Sequence, residues 1–176
     1  MEVEAWLSRA ARTAPGREAV VTPSGSCTYA QLFERAQAGA AELSEQGVAA
    51  GERVAIALPP GQAFAEALHA CLLRGGVAVP LDLRLATAER DRIVAGCALA
   101  VTEPLTGVQP AIRPFAHDLD ATAVVIHTSG TTASPRPVEL SYGNLLWSAL
   151  GSAVALGLDP RERWLCTLPL SHVGGL

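Results

Sequence analysis

Short apolar runs of strand length alternate along this chain with longer stretches whose apolar residues recur every three to four positions. That alternation predicts α/β layering around a mostly parallel sheet. A short helix is expected over Glu2 to Arg12, closed by Pro15-Gly16, and a strand at Ala19 to Thr22. Thr28 and Gln31 stand at capping-box spacing and open a helix with Leu32, Phe33, Ala36, Ala40 and Leu43 on one face, ended near Gly47. Arg53 to Leu58 is a near-continuous apolar run, the signature of a strand covered on both faces. Pro59-Pro60-Gly61 turns into a helix over Gln62 to Arg74, and beyond Gly75-Gly76 comes a strand, Val77 to Leu81. Strand, helix and strand make a βαβ unit, whose crossover is expected to be right-handed.

A helix at Thr87 to Ala95 and a weak strand at Leu99 to Thr102 follow. Residues 103–118 carry Pro104, Gly107, Pro110 and Pro114, the least regular composition of the chain and a candidate internal linker. Ala123 to His127 reads as a buried strand, Thr128 to Pro137 as a loop and Val138 to Leu140 as a short strand. Ser141 is placed to cap a helix from Tyr142 to Leu156, ended near Gly157. Arg163 to Leu168 is expected to form a last strand, and Pro169 to Leu176 a turn. No internal repeat interrupts the pattern.

The chain has 176 residues, 49% hydrophobic and 17% charged, enough for one buried core without metals or disulfides. A net charge of −4 with no basic cluster makes nucleic acid and anionic membrane surfaces poor partners. All 13 basic residues are arginine. Cys27, Cys71, Cys97 and Cys166 show no CxxC or Cys/His ligand spacing and read as small buried hydrophobes in a reducing compartment. The first residues lack the basic start and apolar core of a secretion signal, and no apolar run approaches the roughly 20 residues that span a bilayer. A cytoplasmic protein with no membrane insertion is expected.

The chemistry concentrates in Val124-Val125-Ile126-His127-Thr128-Ser129-Gly130-Thr131-Thr132-Ala133-Ser134-Pro135-Arg136-Pro137. Hydroxyls and backbone N–H groups around Gly130 can donate to several phosphate oxygens at once, and Arg136 can add a charge-assisted pair of bonds. The segment is neither the P-loop pattern nor the dinucleotide fingerprint. Composition alone also describes an ordinary loop of small polar residues.

The segment resembles the phosphate-binding signature of the adenylate-forming enzymes, approximately [ST]-[ST]-G-[ST]-T-G-x-P-K-G. Thr128, Ser129, Gly130, Thr131, Thr132 and Pro135 match, while Ala133 replaces a glycine, Arg136 the lysine and Pro137 the last glycine. Arginine keeps the charge; Ala133 and Pro137 should stiffen the loop. Four further segments are similar to family signatures in family order: Thr28 to Leu32, Gly51 to Ile56, Ala67 to Leu81, and Leu168-Pro169-Leu170-Ser171-His172-Val173-Gly174-Gly175-Leu176. Within the family, the last segment and Pro137 to Asn144 look most like the o-succinylbenzoate–CoA ligases of menaquinone biosynthesis.

The resemblance implies the N-terminal portion, residues 1–176, of the large AMP-binding domain of an ATP-dependent acid–CoA ligase. It implies ATP, Mg2+ and CoA alongside a small carboxylic acid. Thr128, Ser129, Gly130, Thr131, Thr132 and Arg136 would bind the ATP phosphates, and His172, Gly174 and Gly175 would line the acid pocket. No residue here is assigned a certain catalytic role or a metal ligand. Family members continue through adenine, ribose and metal-binding segments and a small C-terminal domain with an adenylation lysine. The chain alone is therefore expected to show no ligase turnover and to bind ATP weakly if at all. A truncated reading frame and poor solubility are further expectations. A peptide-synthetase adenylation domain and a non-catalytic nucleotide- or protein-binding relative are the alternatives. His127 reads as a buried strand histidine, with contact to nucleotide as the alternative, His69 as structural or surface, His117 as a linker residue, and Trp6, Trp147 and Trp164 as core or partly buried.

Overall fold

A computed structural model describes residues 1–107, 114–128, 136–159 and 161–176. The chain opens with β1 (Glu2–Val3) and α1 (Trp6–Thr13), then an antiparallel pair, β2 (Glu18–Thr22) and β3 (Gly25–Thr28), and α2 (Tyr29–Glu45). Next come β4 (Arg53–Ile56), α3 (Gln62–Arg74), β5 (Val77–Pro80), α4 (Thr87–Val94) and β6 (Leu99–Val101). The remaining described elements are β7 (His117–Asp118), β8 (Thr122–Thr128), β9 (Arg136–Ser141) and α5 (Tyr142–Leu156).

Caps and breakers set these boundaries. Thr28 Oγ1 accepts from Gln31 N at 3.3 Å while Gln31 Oε1 accepts from Thr28 N at 2.9 Å, the reciprocal pair that satisfies two orphan donors of α2. Ser141 and Asn144 repeat the arrangement at the start of α5. Gly75 ends α3 at φ 78°, a left-handed conformation that a β-carbon disfavours.

The central sheet runs β6-β4-β5-β8-β9; the first four strands are parallel and β9 pairs antiparallel with β8. Alternation along each strand divides the core. Val54, Ile56, Ala78, Val124 and Ile126 join Leu7, Leu32, Leu43, Phe64 and Tyr142, from α1, α2, α3 and α5, in one large cluster. Val77, Val79 and Val125 meet Ile93 and Cys97, at and just beyond α4, in a smaller one. The α/β layering read from the sequence is therefore present, with helices against both faces. The strands read as unbroken apolar runs because both faces are covered.

α2 and α3 meet through small residues. A β-carbon on Gly39 would lie 2.9 Å from Leu105 Cδ1 and 3.1 Å from Ala70 Cβ. Ala36, Ala40, Ala67 and Ala70 continue the same seam and are fully buried. Within residues 103–118, Leu105 packs on this core and Thr106 N donates to Glu42 Oε2 at 2.9 Å. Phe115 N donates to Leu73 O at 3.0 Å, and residues 108–113 lie outside the described ones.

Several secondary-structure expectations change; of the loop expected over Thr128 to Pro137, Thr128 belongs to β8 and Arg136 and Pro137 to β9. The first helix starts at Trp6, not Glu2, because Glu2 and Val3 pair antiparallel with Asp118 and His117. Arg163 to Leu168 forms no strand: a strand needs a neighbour to complete its hydrogen bonds, and no described segment pairs with it, leaving Trp164 and Leu165 exposed.

Candidate functional site

Strands β6, β4, β5 and β8 point the same way, so their C-terminal ends share one edge of the sheet. In open α/β sheets, ligands bind in the crevice outside that edge. A cavity of about 40 Å3 lies there, between the ends of β5 and β8, lined by Pro80, Asp82, Leu85, Ile93, His127, Ser171 and His172.

Asp82 follows the end of β5 directly and is held by its own turn. Its Oδ1 accepts from Arg84 N at 2.9 Å and Arg84 Nε at 3.0 Å, and its Oδ2 accepts from Arg84 Nη2 at 2.8 Å. The Arg84 guanidinium keeps the Asp82 carboxyl down at about 2, against the opposing effect of partial burial, with a smaller push from His172. Asp82 is thus an anion throughout the neutral range. His172 Nε2 faces Asp82 Oδ2 at 3.9 Å.

His172 rides on a tight turn. His172 N donates to Pro169 O at 3.0 Å, and His172 O accepts from Gly175 N at 2.9 Å and Leu176 N at 3.2 Å. A β-carbon on Gly175 would fall 2.3 Å from Pro169 O and 2.6 Å from Leu168 O, so that position admits only glycine. On Gly174 it would meet Leu168 Cδ1 at 2.8 Å. Gly174 and Gly175 shape the turn behind His172 and do not line the cavity beside it.

His127, near the end of β8, forms part of the same cavity, and its Nδ1 is buried without a hydrogen-bond partner among the described residues. Burial first, and the nearby Arg53 second, lower its proton affinity, which favours a neutral ring. Thr128 comes next and is exposed, and it pairs in register with Arg136. Thr128 Oγ1 donates to Arg136 O at 3.4 Å, so both ends of the predicted phosphate loop are brought together at the sheet edge. Arg136 is exposed and makes no ion pair among the described residues. Ser129, Gly130, Thr131 and Thr132 lie outside the described residues, as do Ala133 to Pro135.

The described part of the site places the Thr128 hydroxyl and a guanidinium that makes no ion pair among the described residues together where β8 ends and β9 begins. Among the described residues no group of three or more His, Cys, Asp or Glu side chains could hold a metal ion. A larger groove of about 580 Å3 lies between α1, α2 and Pro114 to Ala116, away from the strand ends. Its polar lining is the exposed Glu4–Arg12 pair at 2.8 Å, mutually satisfied, and Ser8, whose buried Oγ has no hydrogen-bond partner among the described residues.

Sequence reading missed Asp82, although a carboxylate just past a fully buried strand was the signal available for it. It placed His117 in a linker, whereas the ring is buried, stacked on Tyr142 at 4.2 Å and edge-on to Trp6 at 4.8 Å. Cys27 and Cys71 are buried as expected, Cys97 is half-buried, and Cys166 is exposed, its thiol donating to Gly175 O at 3.3 Å. Trp147 and Trp164 are likewise exposed, because one lies on the outward face of α5 and the other in the unpaired segment after it. No helix among the described residues is long and apolar enough to cross a membrane.

The sequence pattern of the AMP-binding enzyme family matches residues 7–102 and 99–176. The 2-succinylbenzoate–CoA ligase of Bacillus subtilis is 33% identical over 97% of this chain, which spans 40% of that protein. The o-succinylbenzoate–CoA synthetase of B. subtilis has been solved with the acyl-adenylate intermediate; the chain superimposes at a TM-score of 0.92, 32% identical, covering 99% of itself and 52% of that chain. With ATP and magnesium ion bound, the same synthetase gives 0.90 at 31% identity, the chain again covering 99% of itself and 53% of that chain.

Proposed function

This chain belongs to the AMP-binding enzyme family, and we propose that it forms the N-terminal portion of the adenylating domain of an ATP-dependent acid–CoA ligase. The acid is 2-succinylbenzoate, a choice supported by the names of the curated relatives. The chain spans about two fifths of the length of those relatives. The observation that carries the reading is the shared sheet edge: the two ends of the phosphate loop and His172 are grouped around the C-terminal end of β8.

In the proposed reaction the acid carboxylate oxygen bonds to the α-phosphorus of ATP while the bond to the leaving pyrophosphate breaks. The CoA thiol then displaces AMP, losing its proton and leaving the thioester. This chain's work is positioning and charge stabilisation. Thr128 and Arg136, with Ser129, Gly130, Thr131 and Thr132 between them, hold the β- and γ-phosphate oxygens as negative charge gathers on the leaving group. His172 borders the acid, and Gly174 and Gly175 hold its turn. Mg2+ travels with the triphosphate, and no step here is assigned to it.

The test is acid-dependent exchange of labelled pyrophosphate into ATP by this chain joined to the remaining portion of the B. subtilis ligase. Exchange driven by 2-succinylbenzoate over malonate and palmitate supports the reading. Exchange driven best by an amino acid moves the chain to the peptide-synthetase class. A folded chimera that exchanges with no acid sinks the ligase reading.

A further inference from the structure

We infer that Asp82 is a positioning residue for His172: clamped by Arg84 at the end of β5, its carboxylate faces Nε2 of the ring at 3.9 Å and holds the ring with the proton on that nitrogen. The statement that this ring borders the acid rests on the function proposed above; the positioning itself does not.

The clamp is local and asymmetric. Oδ1 of Asp82 already accepts two bonds, from Arg84 N and Arg84 Nε. Oδ2 accepts one, from Arg84 Nη2, and keeps lone-pair capacity on the side of His172. Leu85 N donates to Asp82 O at 3.1 Å, so the carboxylate is fixed by a four-residue turn independent of the distant segment that delivers His172. The ring makes no hydrogen bond among the described residues, and the Asp82 carboxylate is the one acidic group within 4.0 Å of it there. At 19% and 42% side-chain exposure, the pair is partly shielded from water.

A carboxylate beside one ring nitrogen selects the tautomer protonated at that nitrogen, and turns the ring to suit. The other nitrogen, Nδ1, is left as an acceptor. In this tautomer Nδ1 offers no N–H to an incoming carboxylate, and the ring acts as a shaped wall of the cleft. Across the cavity burial favours a neutral His127, and Asp82 is the fixed charge in the lining they share.

The test is the imidazole pattern of 15N-labelled chain, read by long-range proton–nitrogen correlation, with His172 assigned through His172→Gln. The wild-type ring is expected in the Nε2–H form. In Asp82→Asn the ratio of Nε2–H to Nδ1–H falls about threefold, about 0.7 kcal/mol at 1.4 kcal/mol per tenfold, the size of a partly exposed ion pair. Asp82→Glu restores most of the ratio. An unchanged His172 pattern in folded Asp82→Asn overturns the proposal, the fold being read from the buried His117 signals. If Asp82→Asn does not fold, Arg84→Gln keeps the carboxylate but removes its clamp; it shifts the ratio in the same direction, and an unchanged ratio there also overturns the proposal. A His172 ring that shifts tautomer in the variant but does not respond to 2-succinylbenzoate supports the positioning and sinks the acid-pocket reading alone.

Discussion

Acidification should loosen the N-terminal clasp through His117. The ring is 2% exposed, stacked on Tyr142 and edge-on to Trp6, and neither of its nitrogens has a hydrogen-bond partner among the described residues. Burial, reinforced by the neighbouring His69, lowers its pKa from 6.5 to about 4. The unfolded chain therefore takes up this proton near pH 6.5, and the folded chain only near pH 4. Between those values the unfolded state binds more protons, so stability is full above pH 6.5 and drains away as pH falls towards 4. The loss from this one group is about 2 kcal/mol between pH 7.5 and pH 5, approaching about 3.4 kcal/mol below pH 4. Urea unfolding followed by tryptophan fluorescence, at steps from pH 7.5 to pH 5, reads it directly. His117→Phe keeps a ring in the stack and removes the titration, so its midpoint should fall less with pH than the wild type's, by that 2 kcal/mol. It should also match or exceed the wild type at pH 7.5, since it removes two unsatisfied polar atoms from the core. Equal pH slopes for the two proteins would refute the reasoning.

Leu43→Ala, at a fully buried position of α2, should cost about 2–5 kcal/mol in the same assay with an unchanged denaturant slope. Gly175→Ala forces a β-carbon onto the carbonyls of Pro169 and Leu168; it should displace the His172 turn and shift His172 signals while leaving those of β4 and β5 in place. Arg136→Ala should weaken pyrophosphate binding about tenfold by calorimetry, the loss of one charge-assisted bond of about 1.5 kcal/mol, with no change in melting temperature.

What the sequence disclosed follows the range of the forces involved. The Thr28–Gln31 and Ser141 caps, the helix at Gln62–Arg74 and the strands at Arg53 and Val77 were legible because local spacing decides them. β1, β3 and β7 were not, because strands of two to four residues exist only through partners, and β1 and β7 meet from distant parts of the chain. The site divides in the same manner. The hydroxyl-rich loop and the Pro-Leu-Ser-His segment announced themselves as motifs, whereas the Asp82–His172 contact depends on a turn after β5 meeting a turn after α5. Trp147 and Cys166 read as buried on composition, but exposure depends on which face of α5, or which unpaired segment, carries them.

The central claim, that phosphates and acid meet at the C-terminal edge of β5 and β8, is tested most directly by amide and imidazole NMR of the 176-residue chain titrated with ATP and with 2-succinylbenzoate at millimolar concentrations. Shifts at Thr128 and Arg136 with ATP, and at His127, Ser171 and His172 with the acid, are the predicted result. Saturable shifts confined to the groove around Ser8, Phe33 and Phe115, with none at the strand ends, would contradict it.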